Sequence, residues 1–148
     1  MMTRRDWFIA LAAATLTASA FAVVTQKAML TSAIYNWNSI PVKTTESGSV
    51  RSFFSGPTPT LKNLEVHVTT LNPGQAPHKP HRHGHEELLI IKQGSVEVLI
   101  DGRWQPAGPG SVVLLASNQL HGVRNTGTVP AVYHVIAWTS SDTPPDAK

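Results

Sequence analysis

His81, His83, Glu87 and His121 are the residues of this chain best suited to chemistry. The first three stand in Pro80-His81-Arg82-His83-Gly84-His85-Glu86-Glu87, the fourth in Leu120-His121-Gly122-Val123-Arg124-Asn125. Neutral imidazoles and a carboxylate together suit iron(II), manganese, nickel, zinc or copper, so the set reads as the ligands of one divalent transition-metal ion. Four protein ligands on an octahedral ion leave two positions for water, substrate or dioxygen. Glu87 is also the candidate base, were it to loosen from the ion.

Spacing dictates what must position these groups. A strand rises about 3.3 Å per residue and residues two apart share a face, so His81 and His83 can point the same way. On one straight strand Glu87 would lie about 13 Å from His83, far beyond a shared ion. The chain must therefore reverse between them, and Gly84 is the residue that permits it. This predicts a turn over Gly84-His85-Glu86, with the histidines ending one strand and Glu87 beginning the next. His121 must come from a different hairpin. His85 is then a bystander or a gate at the mouth rather than a ligand.

The surrounding pattern is all-β. Short runs rich in branched residues alternate with Gly, Pro and Asn turns. Strands are predicted near 33–37, 50–54, 61–71, 87–92, 95–100, 111–115, 121–125 and 131–138, with no helix in the mature chain. Leu64, Val66 and Val68 share one face of their strand, and Glu65, His67 and Thr69 the other. Eight strands at regular spacing indicate a sandwich or barrel.

The residues then resemble the cupin family. Its first motif is Gly, a short spacer, His-x-His, three or four residues, Glu, six residues, Gly; here it is Gly74, His81-Arg82-His83, Glu87 and Gly94. Its second is Pro-x-Gly, a strand and turn, then His-x-x-x-Asn, matched by Gly110 and by His121 to Asn125. The gap from Gly74 to His81 is one residue longer than the usual five, and Ala116 stands where a proline is usual. The resemblance runs over about 61–138 and implies a double-stranded β-helix, the jelly-roll cupin barrel. It further implies one ion inside the barrel on His81, His83, Glu87 and His121, and a small-molecule substrate or ligand. The implied activity is oxidoreductase chemistry of the dioxygenase kind. An isomerase or lyase, a non-catalytic binding or sensing module, and a purely structural jelly roll are the alternatives. A homodimer and a structural turn role for Asn125 are further implications.

Other polar residues read more plainly. His78 is expected in solvent. His67, His134 and Tyr133 lie on strands and are expected to be half-buried strand residues, with a pocket role as the alternative. Trp104 reads as packing and Arg124 as a surface charge.

Size and charge bound the rest. The 148 residues fit one domain. Thr3-Arg4-Arg5-Asp6-Trp7, an apolar stretch and Ala18-Ser19-Ala20 or Ala20-Phe21-Ala22 resemble a twin-arginine export signal, with Trp7 where phenylalanine is usual and no lysine closing the motif. Residues 1–22 are therefore expected to be a cleaved signal and the protein periplasmic or secreted, by that route or the general one. The apolar stretch is short of the roughly 20 residues a bilayer span needs, so no stable span is expected after cleavage. The formal charge of +3 is scattered, which argues against a nucleic-acid partner. Cysteine is absent, so there are no disulfides and no thiolate ligands. The expected organisation is an arm at 23–49, a barrel at 50–139 and a disordered tail at 140–148.

Overall fold

A computed structural model describes residues 27–147. The expected signal peptide lies outside them. Nine strands carry the fold: β1 (Lys43–Thr45), β2 (Gly48–Gly56), β3 (Asn63–Leu71), β4 (Glu86–Gln93), β5 (Val96–Ile100), β6 (Arg103–Ala107), β7 (Val112–Leu115), β8 (Gly122–Arg124) and β9 (Ala131–Thr139). They form a six-stranded sheet in the order β1-β2-β3-β9-β4-β7 and a three-stranded sheet in the order β6-β5-β8. Every pairing is antiparallel. The fold is the all-β jelly roll that the sequence predicts.

The local chemistry explains the hairpins. Gly94 at φ +70° turns β4 into β5, and Asp101 and Gly102, at +50° and +73°, turn β5 into β6. Two successive left-handed residues are what a tight hairpin of this hand requires. Strand β6 was not expected, because Pro106 interrupts its run. It forms as an edge strand, where a missing N–H costs no ladder bond. The strand expected at 33–37 is absent; a short 3₁₀ turn at Trp37–Ser39 stands there, and β1 forms further on. Trp37 is held instead by Arg51 and Lys92, whose charged ends lie 4.5 and 4.9 Å from its ring centre.

Leu71, Leu89, Ile91, Val96, Val98, Val113, Leu115, Val123 and Val135 pack between the sheets. Each such side chain contributes about 1.5–3 kcal/mol on burial. Strand β9 lies between β3 and β4, aligning Glu65, Ala137 and Glu87 in one row and His67, Val135 and Leu89 in the next. The polar face of β3 therefore turns inward. Its apolar face is turned to the arm, where Leu30, Tyr35 and Phe54 close over Leu64. That reversal of the usual amphipathic arrangement is the fold's first sign of a functional interior.

The tail departs from expectation. Residues 140–147 are laid against the turn after His83: Gly84 N–H donates to Asp146 Oδ1 at 2.6 Å, Asn118 Nδ2 to Pro145 O at 3.0 Å, and Ala147 N–H to Asn118 Oδ1 at 2.7 Å. A polar, proline-bearing segment with no apolar anchor gives no sequence signal for such docking, since its hold is by hydrogen bonds to a distant loop. Among the described residues no helix is long and apolar enough to cross a membrane.

Candidate metal centre

His81 and His121 meet as an isolated antiparallel pair, exchanging backbone bonds of 2.9 and 3.0 Å. His81 thus sits in a single bridge rather than at the end of a full strand. His83 is fixed by Asn118 N–H, which donates to its carbonyl at 2.8 Å. Glu86 already belongs to β4, so the reversal occupies only Gly84 and His85. Gly84 is needed for a reason other than the one its position suggests. Its φ is not left-handed, but a Cβ there would lie 1.9 Å from Pro144 O. Close approach of the tail, not the turn, excludes a side chain.

The three histidines converge. His81, His83 and His121 each offer a ring nitrogen within 4.8 Å of the others. Donors about 2.1 Å from one ion stand about 3 Å apart when adjacent and about 4 Å when opposed, so the spacing suits a shared cation. Glu87 joins through His83: its Oε2 lies 3.1 Å from His83 Nε2. It shares a second ligand-like group with His83 and His85, not the first with His81 and His121. His85, expected to stand apart, stacks on His83 with ring centres 3.5 Å apart and planes 4° from parallel.

Hydrogen bonding tests whether a cation fits. His83 Nδ1–H donates to His85 O, and His121 Nδ1–H to Gln119 O, both at 2.9 Å. A carbonyl only accepts, so each Nδ1 carries the proton and each neutral Nε2 carries a lone pair. His121 Nε2 and His81 Nδ1 are buried without any partner. His83 Nε2 faces a carboxylate oxygen, which is repulsive unless a proton or cation lies between. Buried lone pairs left this way cost about 1–3 kcal/mol each, a cost that an ion bound among them removes. Burial pushes the His81 imidazole below its ordinary pKa, and His78, His121 and His83 add to the effect. Burial does the same at His121, opposed by the Gln119 bond. Both rings are thereby held neutral, the form that binds metal. The Histidine/glutamate group can hold a metal ion.

The centre opens on a chamber of about 270 Å³ inside the barrel. Leu89, Leu115, Val123 and Val135 supply apolar wall; His67, Thr69, Glu87, His121 and Tyr133 supply polar wall. The Tyr133 hydroxyl is pushed by burial far above its ordinary pKa, with the nearby Thr69 hydroxyl opposing the shift. It is a neutral donor at any physiological pH. His67 and Tyr133 thus take the pocket position that sequence reasoning ranked second. For His67 the signal available was the alternation of β3, which puts it on one face with Glu65 and Thr69; Tyr133 joins that face only through the pairing of β9 with β3. His134 takes the other face, away from the chamber, across from Ile90. His78 is exposed, though its ring packs edge-on against His81 at 4.3 Å. Asn125 is buried and bonds Leu71 O, Val129 O and Gly127 N, as a structural turn residue should. Arg124 pairs with Glu97 at 2.7 Å and covers the Trp104 ring at 4.1 Å.

Comparison with known proteins agrees with this architecture. Residues 67–137 match the family described as the Cupin domain. L-ectoine synthase of Halomonas elongata is 28% identical over 95 residues, which cover 64% of this chain and 60% of that protein. The chain thus spans about three fifths of the length of that curated relative. A sugar phosphate isomerase of the cupin superfamily from Silicibacter pomeroyi superposes with a TM-score of 0.60 at 17% identity, covering 73% of this chain and 76% of the other. The polyketide cyclase RemF of Streptomyces resistomycificus gives 0.60 at 13% identity, with 80% and 87% covered. At such identities these structures speak to the fold alone. The family match over 67–137 and the shared barrel identify a cupin domain here and support the cupin superfamily for the chain.

Proposed function

We propose that this protein is a metal-dependent enzyme acting on a small organic molecule inside the barrel, with His81, His83, Glu87 and His121 as the ligands of one divalent ion. The observation that carries this reading is the pair of buried, partnerless nitrogens, His121 Nε2 and His81 Nδ1, beside a chamber of mixed polar and apolar wall. A bound ion would supply Lewis acidity and charge stabilisation at a substrate oxygen. The chain's own residues do the rest. Apolar side chains line the chamber, Tyr133 donates a hydrogen bond, and a volume of about 270 Å³ admits a small organic molecule up to the size of a substituted aromatic ring.

Two chemistries suit this arrangement. Dioxygenase-like oxidation follows from the ligand set read in the sequence and from the largely apolar wall. A non-oxidative isomerase, lyase or cyclase is the second chemistry, favoured by the curated sequence relative, a synthase. The test is elemental analysis of the isolated protein, then turnover of small oxo- and hydroxy-acids and catechols with and without dioxygen. Dioxygen consumed in step with product supports oxidation; anaerobic product supports the second chemistry. Tight ligand binding without turnover under any metal would reduce the protein to a binding module. We also read residues 1–22 as an export signal, checked by the mass of the mature chain recovered from outside the cytoplasm.

A further inference from the structure

Glu65 and His67 form a pair that no metal role absorbs. They lie two apart on β3, so both side chains take its inward face. His67 Nδ1–H donates to Glu65 Oε1 at 3.1 Å. That bond fixes the tautomer and leaves Nε2, with its lone pair, for the chamber that His67 lines. Glu65 stands at the rim, 40% exposed, and His67 further in at 23%. The register places this pair two strands from Glu87 on the same inner face of the sheet, and His67 lines the chamber together with Glu87 and His121. Glu65 and Glu87 flank Ala137, and His67 and Leu89 flank Val135, across the single strand β9. Sheet spacing then sets the α-carbons of His67 and Glu87 about 12 Å apart. The small Ala137 between the two glutamates leaves the space above β9 open. A carboxylate-oriented imidazole facing an electrophilic centre across a small chamber is the arrangement of a general base and its positioning group.

We infer that His67 Nε2 is the proton-transfer group of this enzyme and that Glu65 positions it, so that the substrate is a small carbonyl compound with an acidic C–H beside the carbonyl. This rests on the metal-dependent reading above. In the step, the C–H bond next to the carbonyl breaks and its electron pair passes into an enolate. The proton goes to His67 Nε2, and the imidazolium is stabilised by Glu65. Return of that proton to the enolate oxygen gives the enol, an isomerisation with no net oxidation, and its return to the carbon regenerates the carbonyl compound, with exchange. Glu87 is taken up instead as a ligand of the ion in the reading above.

The test uses the full chain loaded with zinc, and pyruvate and 2-oxobutyrate as probes in deuterated water. Wild type is expected to place deuterium beside the carbonyl. His67→Gln should lower that rate at least about 100-fold at unchanged zinc content, in keeping with general acid–base catalysis. Glu65→Ala should lower it less, mainly in kcat. Nitrogen NMR of the His67 ring should show protonated Nδ1 in wild type and a tautomer mixture in Glu65→Ala, a change that a merely structural pair would not link to exchange. Exchange that His67→Gln leaves untouched, an Nε2–H tautomer in wild type, or dioxygen consumption without exchange would each overturn the inference and leave the enzyme reading standing. If zinc-, iron- and nickel-loaded wild type neither exchange these probes nor consume dioxygen with them, the enzyme reading falls and the inference falls with it.

Discussion

Replacing His121 with alanine separates stability held by protein contacts from stability held by an ion. In the metal-free protein the substitution removes one hydrogen bond, from Nδ1 to Gln119 O at 2.9 Å, worth about 1 kcal/mol net. It also removes a buried nitrogen without a partner, a relief of about 1–3 kcal/mol. Some packing is lost at the chamber wall, so the balance should lie within about 1 kcal/mol of zero. For a domain of this size that is about 4 °C in Tm. The metal-loaded protein behaves differently. An ion at 1,000 times its Kd stabilises the folded state by about 4 kcal/mol, or about 16 °C. Loss of a ligand should weaken binding more than loss of an outer-shell partner, which typically costs 10–100-fold. At a 100-fold loss the same ion concentration leaves about 1.4 kcal/mol, about 6 °C. The assay is calorimetric melting of both proteins with chelator, and with zinc, manganese, iron(II) or nickel. Asn125→Ala is the control. It loses three hydrogen bonds at a site that is 1% exposed, about 3 kcal/mol with or without metal, and should keep the full metal shift. A wild type whose Tm no metal moves, or a His121→Ala protein that keeps the wild-type shift, would refute the reasoning.

Two further outcomes follow from the same geometry. Gly84→Ala drives a Cβ to 1.9 Å from Pro144 O, so the tail must leave the turn; limited proteolysis should then cut within 140–147 faster than in wild type, and an unchanged cleavage rate would sink this account of Gly84. Acidification should destabilise the metal-free protein. His134 is held below its ordinary pKa by burial first and Lys92 second, and His81, His85 and His121 are shifted the same way. The unfolded chain therefore binds protons more readily, so stability is full above about pH 6.5 and falls as pH drops through the folded-state values. Urea unfolding from pH 7 to 5 should show this slope, and His134→Gln should lessen it; a slope unaltered by the substitution counts against the assignment.

The punctuation was readable because its causes are local. Asp101-Gly102 and Gly94 turn the chain through their own backbone freedom, alternation of polar and apolar residues marks β3, and runs rich in branched apolar residues mark β4 and β9. The His-x-His, Glu and His-x-x-x-Asn spacing pointed to a shared centre for the same reason, since each segment carries its own ligands. Strand β6 escaped because Pro106 breaks its strand pattern although its partner β5 is next in the chain, and the docked tail escaped because its hold comes from distant residues, Asn118 and Gly84.

By itself, then, the sequence determined an all-β barrel and the residues able to bind an ion, because turn chemistry, strand period and ligand type are properties of short segments. Only the tertiary structure decided which face of β3 looks inward, and so made Glu65 and His67 neighbours of the chamber while sending His134 outside. The reason is the insertion of β9 between β3 and β4, a pairing across sixty or more residues of chain that no local pattern encodes.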